Sequence, residues 1–294
     1  MSFDALTFGV EIECFIPKWM DTYSLKTRLD TLCGVNVWKV VSDGSLKANR
    51  RGKGAGWTPV EVVTHTYLLG SQAEREINKL CAALKEVGAY VNETCGLHVH
   101  VGARAMTTAQ IGKLCALYAL YEPQIDSFMM PERRASRNHY CKSLFGRTEW
   151  VGSNYVRVDQ EQVIEAVRNA RTVEAVAVAI NGHFDLTGDR RRPVGRYHKV
   201  NLQCFTRLGT IEFRHHHATV DAKRMWMWVK FLGRLTVHAM ETADRPLRMG
   251  EMSDEQRWDR LMTRVNAPDC RRHFGTIRGS FAAARARMAR AVAV

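Results

Sequence analysis

No run of about 18 apolar side chains occurs in the 294 residues, so no membrane-spanning helix is expected. The opening stretch, MSFDALTFGVEIECF, lacks a basic start and carries acids inside its apolar part. A secretory leader is therefore not expected, and the chain reads as cytoplasmic. None of the 8 cysteines belongs to a CxxC pair, and Cys81 and Cys115 fall on apolar faces of expected helices. That spacing argues against a zinc finger or a disulfide framework and for buried, reduced thiols. The phosphate-binding pattern GxxxxGK[ST] is missing, although Arg51–Trp57 is rich in glycine, and there is no internal repeat. Acid is also in short supply. Asp and Glu number 30 against 43 Lys and Arg, which leaves +13 and a pI near 9.6.

What is present describes a globular chain. Hydrophobic residues make up 46% and charged residues 25%, which excludes a disordered or collagen-like protein. Most of the basic residues are arginine, the better fork for phosphate and carboxylate, so the surplus points to an anionic substrate or partner. Strands are expected over 6–15, 37–41, 60–66, 97–101, 199–206 and 210–217, where apolar and polar residues alternate or β-branched residues cluster. The last two are expected to form a hairpin through Arg207-Leu208-Gly209. Helices are expected after a Ser71/Glu74 capping box, over 108–121 with Pro123 as the stop, within 160–180, after Asp221, and after a Ser253/Gln256 capping box. This order predicts an α+β fold with a curved, mostly antiparallel sheet and helices packed on one face. The expected organisation is a catalytic domain over 1–243 and a basic helical extension over 244–294 packed on it.

Alternation then places ionisable groups. In Gly9-Val10-Glu11-Ile12-Glu13 the two carboxylates share one strand face and the two apolar side chains the other. An isolated ExE usually marks a solvent-facing strand. Here the arrangement recurs: His98 and His100 share a face, as do Asn201 and Gln203, and Glu212 and Arg214, while Glu61 sits among β-branched residues. By the same alternation His216 faces the side of Glu212 and Arg214. Repetition across strands argues for a sheet whose polar face lines a cleft. Four Glu and a His form an oxygen-rich donor set suited to Mg²⁺ or Mn²⁺, and Arg214 beside them suits a phosphate.

Together FGVEIE, VSDGS, EVVT, GLHVHVG, KVNLQ and GTIEFRHHHATVD, in that order, resemble the amidoligase family, within the superfamily of glutamine synthetase and glutamate–cysteine ligase. The resemblance implies an ATP-dependent carboxylate–amine ligase with a glutamine synthetase-like sheet, working through an acyl phosphate. It implies that Glu11, His98 and Glu212 hold one metal and Glu13 and Glu61 a second. By the same resemblance Arg214 stabilises the transferred phosphoryl group, His100 lies near the phosphates, and Asp43 and Ser45 lie at the substrate rim. Glu61 and Glu212 join Arg214 as candidate catalytic residues, and His216 is a candidate for substrate contact. Arg190, Arg192, Arg196 and Lys199, with Asn201 just beyond them, are candidates for holding ATP phosphates. The partners implied are small-molecule or peptide carboxylates and amines, or an anionic carrier. A zinc hydrolase built on His98 and His100 is the competing enzyme. A nucleic-acid-binding protein ranks behind both, because no recognised motif accompanies the charge. Nothing in the sequence bears on oligomeric state.

Overall fold

The computed structural model describes residues 2–47, 56–151, 154–187, 194–242 and 252–292. It begins with the strand whose alternation was most regular. β1 (Thr7–Pro17) buries Phe8, Val10 and Ile12 on one side, leaving Glu11 and Glu13 on the other. α1 (Thr22–Cys33), capped by Asp21, leads to β2 (Trp38–Ser42), β3 (Trp57–Thr64) and the short β4 (Leu68–Leu69). α2 (Gly70–Glu86), β5 (Gly96–Gly102) and α3 (Thr108–Asp126) follow, and then a small hairpin of β6 (Thr148–Val151) and β7 (Asn154–Arg157). α4 (Gln160–Asn169), α5 (Val173–Asn181), β8 (Val200–Asn201), the single turn α6 (Phe205–Leu208) and β9 (Thr210–His217) complete the sheet region. Three longer helices end the chain: α7 (Ala222–Glu241), α8 (Asp254–Val265) and α9 (Pro268–Val292).

The fold is α+β. The strands form an open antiparallel sheet in the order β2-β3-β1-β5-β9-β8, with β4 paired to the start of β1. Its apolar face packs against α2 and α7, and α3 lies against α7. Phe128, Trp228, Phe231, Trp258 and Phe274 make an aromatic cluster that joins α7 to both C-terminal helices. All eight cysteines are free and buried. Among the described residues no helix is long and apolar enough to cross a membrane.

Several local expectations are corrected. α2 starts at Gly70, so Ser71 lies inside it and is not its cap. The expected hairpin turn at Arg207–Gly209 is instead the end of α6, and β8 is only two residues long. α3 does not stop at Pro123 but runs through it to Asp126. Proline has no N–H for the carbonyl four residues back. That carbonyl belongs to Ala119, and the Gln160 side-chain amide donates to it at 2.7 Å and to Leu120 O at 3.1 Å. An outside donor thus completes the helix, which no local pattern announces. Gln160→Ala leaves this carbonyl without its partner, and the expected loss is about 1–3 kcal/mol by urea unfolding.

Candidate active site

The cleft floor follows from strand register. Glu13 lies opposite Glu61 across β1 and β3, and Glu11 lies opposite His98 across β1 and β5. His100 lies opposite Glu212, and Glu212 opposite Asn201, across β5, β9 and β8. Gly9 faces His100 from the other side, where a Cβ would come within 3.2 Å of the histidine Cβ. The polar side chains of five strands therefore meet on one face. Around them is a cavity of about 730 Å³ whose rim includes Asp43, Ser45, Tyr140, Arg196, Tyr197 and Arg207. That volume lies within the usual range for small-molecule sites.

Hydrogen bonds fix the floor. His100 Nε2 is 3.1 Å from Glu11 Oε1, and His100 Nδ1 is 2.9 Å from Thr210 Oγ1. His98 Nδ1 is 3.3 Å from Glu11 Oε2. The Gly96 N–H donates to Glu13 Oε2 at 2.5 Å, and the Asn201 amide donates to Glu212 Oε2 at 2.5 Å. Arg214 pairs with the other oxygen of Glu212, while its Nε donates to Tyr140 O at 3.2 Å. At the rim Asp43 accepts from the Ser45 N–H and hydroxyl. The Arg196 guanidinium lies over the Tyr197 ring, 4.5 Å from its centroid.

Charge crowding shows in proton affinities. Burial, reinforced by Glu11, Glu13, Asp43 and Glu212, pushes the Glu61 carboxyl up to about 9. Burial also works against ionised Glu11, but His100 and His98 outweigh it and hold Glu11 well below the usual range. His100 is the reciprocal case, kept protonated by Glu11 and Glu212 despite its burial. Arg214, with smaller help from His100, holds Glu212 ionised against burial. One carboxylate of the set thus carries a proton where an added cation would serve. In chelator the folded protein binds that proton more tightly than the unfolded chain does. The Glu61 contribution to stability is then largest below the unfolded carboxylate pKa and is lost as pH rises toward about 9. Glu61→Gln is expected to flatten this decline, read as urea midpoints at pH 5 and 9 in chelator.

Donor geometry fits divalent ions. Two groups have ligand atoms all within 4.8 Å of one another: Glu11 with His100 and Glu212, and Glu11 with Glu61 and His98. Ligands about 2.1 Å from Mg²⁺ stand up to about 4.2 Å apart across the ion, so small side-chain movements suffice. The grouping differs from the expected one. Register sets His100 opposite Glu212 and groups the two, and Glu13 belongs to neither group. Yet His98 also stands close to its expected partners, with Nδ1 3.7 Å from Glu212 Oε1 and Nε2 3.7 Å from Glu13 Oε1. Among the described residues no such group contains both imidazoles, which leaves the zinc reading of that pair without a ligand set.

Two candidate residues do not reach the cleft. The β5–β9 pairing contains a bulge: Val99 pairs with Phe213 but Leu97 with His216, so His98 faces two residues of β9. The extra residue reverses the alternation. His216 is consequently buried on the apolar side, its ring 5.4 Å from that of Trp228 and its Nδ1 donating to His217 O. Lys199 precedes the short β8 and turns into the interior, 2.8 Å from Glu122 and 2.6 Å from Asp126. Asn201 does face the cleft, but its amide is committed to Glu212. Arg190 and Arg192 lie outside the described residues. Sequence reasoning passed over Tyr140 and Tyr197, which come from irregular segments with no alternation to mark them.

Residues 4–236 match a family model described as "putative amidoligase enzyme". No curated protein matches the chain.

Proposed function

Because the chain belongs to this amidoligase enzyme family, we propose that the cleft joins a substrate carboxylate to an amine with ATP as the energy source. The observation that carries this reading is the floor itself: four carboxylates and two imidazoles against one arginine, in a cavity with room for a nucleotide. In the proposed reaction the substrate carboxylate attacks the γ-phosphorus of ATP, forming an acyl phosphate and releasing ADP. The amine then attacks the acyl carbon, and inorganic phosphate leaves.

The residues divide this work by position. Glu11, Glu212 and His100 would hold one divalent ion, and Glu11, Glu61 and His98 a second. When bound, Mg²⁺ or Mn²⁺ would neutralise phosphate oxygens that must approach another anion. Arg214, oriented by Glu212 and the Tyr140 carbonyl, lines the cleft where a transferred phosphoryl group would gather charge. Asn201 is a positioning residue that keeps Glu212 turned toward Arg214. Glu61, besides its place in the second donor group, is the candidate to take the proton that the attacking amine releases. Arg196 and Arg207 at the rim suit the nucleotide phosphates.

The test is ADP release from Mg²⁺-ATP over a panel of carboxylates and amines, with mass analysis of the products. Expected is ADP formation that needs both a carboxylate and a divalent ion, with hydroxylamine trapping a hydroxamate. Undiminished product formation in chelator, or amide formation without ATP, would overturn the reading.

A further inference from the structure

Apart from the charged groups of the floor, one lysine and one arginine are buried among the described residues, and the fold treats them differently. Lys199 has two carboxylates against its ammonium group. Arg133 is 2% exposed, and no carboxylate of the described residues forms an ion pair with it. Its Nε has no hydrogen-bond partner, and its Nη1 makes one long bond, 3.5 Å, to the main-chain oxygen of Arg214. A buried guanidinium without a counter-ion is strongly disfavoured, and an orphaned buried donor calls for a missing partner.

Its surroundings show where that partner would sit. The guanidinium lies over Gly96, where a Cβ would come within 2.9 Å of Nη2 and 2.8 Å of His98 Nε2. Only a glycine leaves this space between Arg133 and the floor. Arg133 lines a cavity of about 240 Å³ that shares Glu13, Ser45, His98 and Tyr140 with the main cleft. That is below the usual range for a whole drug-sized ligand, so the annex suits an end group. Its lining carries both signs, with Arg137 and Lys47 beside Arg133, and Glu93 beside Glu13. Such a mixture matches the paired charges of an amino-acid end.

We propose that the annex holds the carboxylate end of an amino-acid or peptide substrate, with Arg133 as the fork beneath that carboxylate. Arg137, exposed at the rim, adds to its attraction. This assignment rests on the ligase reading for its place in the reaction, but its binding test does not.

The test is calorimetric titration of the full chain with the common L-amino acids, their carboxamides, dipeptides and inorganic phosphate. At least one free carboxylate is expected to bind about tenfold or more tighter than its carboxamide. Arg133→Gln is expected to remove that preference while the affinity for Mg²⁺-ADP stays within about twofold, and Arg133→Lys to restore part of it. Should Arg133→Gln fail to fold, Arg137→Gln at the surface is expected to weaken the same carboxylate several-fold. The proposal is overturned if no carboxylate binds the folded protein, if acid and carboxamide bind alike, or if folded Arg133→Gln binds as the wild type does. It is also overturned if only phosphate binds. Carboxylate binding that depends on Arg133, without any ATP turnover, would remove the ligase reading and leave the annex standing. Turnover with binding indifferent to Arg133 would do the reverse.

Discussion

Arg214→Ala is expected to lower carboxylate-dependent ADP release about a thousandfold, within the range seen when a charge-stabilising group is removed from acyl or phosphoryl transfer. Two features make the effect large. The guanidinium is mostly buried, so its charge is little screened, and Glu212 and the Tyr140 carbonyl hold it in place before substrate arrives. Preorganised charge of this kind needs no reordering as the reaction proceeds. Removing it also strips buried Glu212 of its cation, which costs about 3–5 kcal/mol when the survivor stays charged. Folding must therefore be checked by urea unfolding alongside turnover. Arg214→Lys separates the two effects: it keeps a positive charge beside Glu212 but loses the planar fork. Its stability is expected near wild type, with ADP release down at least tenfold. Wild-type turnover in a folded Arg214→Ala protein would remove Arg214 from the reaction.

The sheet and its polar face were legible because period two is the simplest pattern a chain can carry. In β1 the buried Val10 and Ile12 force Glu11 and Glu13 onto the other face, and the same holds for His98 with His100 in β5. Pairing partners were not legible. Which histidine lies directly opposite Glu212 depends on register, and register depends on strands far apart in sequence. A single bulge then sent His216 to the core although its position in the alternation pointed to the cleft. Nothing in Leu97-His98-Val99 or Arg214-His215-His216 marks the extra residue.

Lys199 shows the other limit. Its charge and its place in an Arg-rich stretch suggested a phosphate contact, but burial is decided by what packs above it. The carboxylates that claim it, Glu122 and Asp126, lie on α3, more than seventy residues earlier. Pro123, read locally as a stop, lies between them because Gln160 repairs the helix there. Arg133 is harder still, since its significance is the absence of a partner. A missing contact leaves no trace in a sequence.

Lys199→Met is expected to destabilise the fold by about 3–5 kcal/mol, the cost of leaving buried carboxylates without their cation. The group is tightly interlinked. Lys199 Nζ donates to Glu122 and Asp126, Asp126 Oδ1 meets His215 Nε2 at 2.7 Å, and the Tyr118 hydroxyl meets His215 Nδ1 at 2.8 Å. Glu122 also accepts the Leu144 N–H at 3.0 Å, so the cluster ties α3 both to β9, through His215, and to the loop at Leu144. Burial raises Glu122 above its ordinary value, whereas in Asp126 burial is outweighed by His215 and Lys199 and the group stays ionised. Depression of Asp126 contributes stability above the unfolded carboxylate value, about 3.9, and this is lost as pH falls toward its lower folded value. Without Lys199, Glu122 loses the cation that restrains its rise and favours a proton in the folded state still more, while Asp126 keeps its His215 partner. Stability then falls as pH rises from about 4 through the raised Glu122 value. The gap between wild type and Lys199→Met should therefore narrow on going from pH 7.5 to 5.5, as read by urea midpoints. Adding Glu122→Gln and Asp126→Asn removes the stranded charges while keeping acceptors for Leu144 and His215, and should recover most of the loss at pH 7.5. If Lys199→Met unfolds like the wild type at both pH values, the lysine is not neutralising these carboxylates, and its burial must be explained another way.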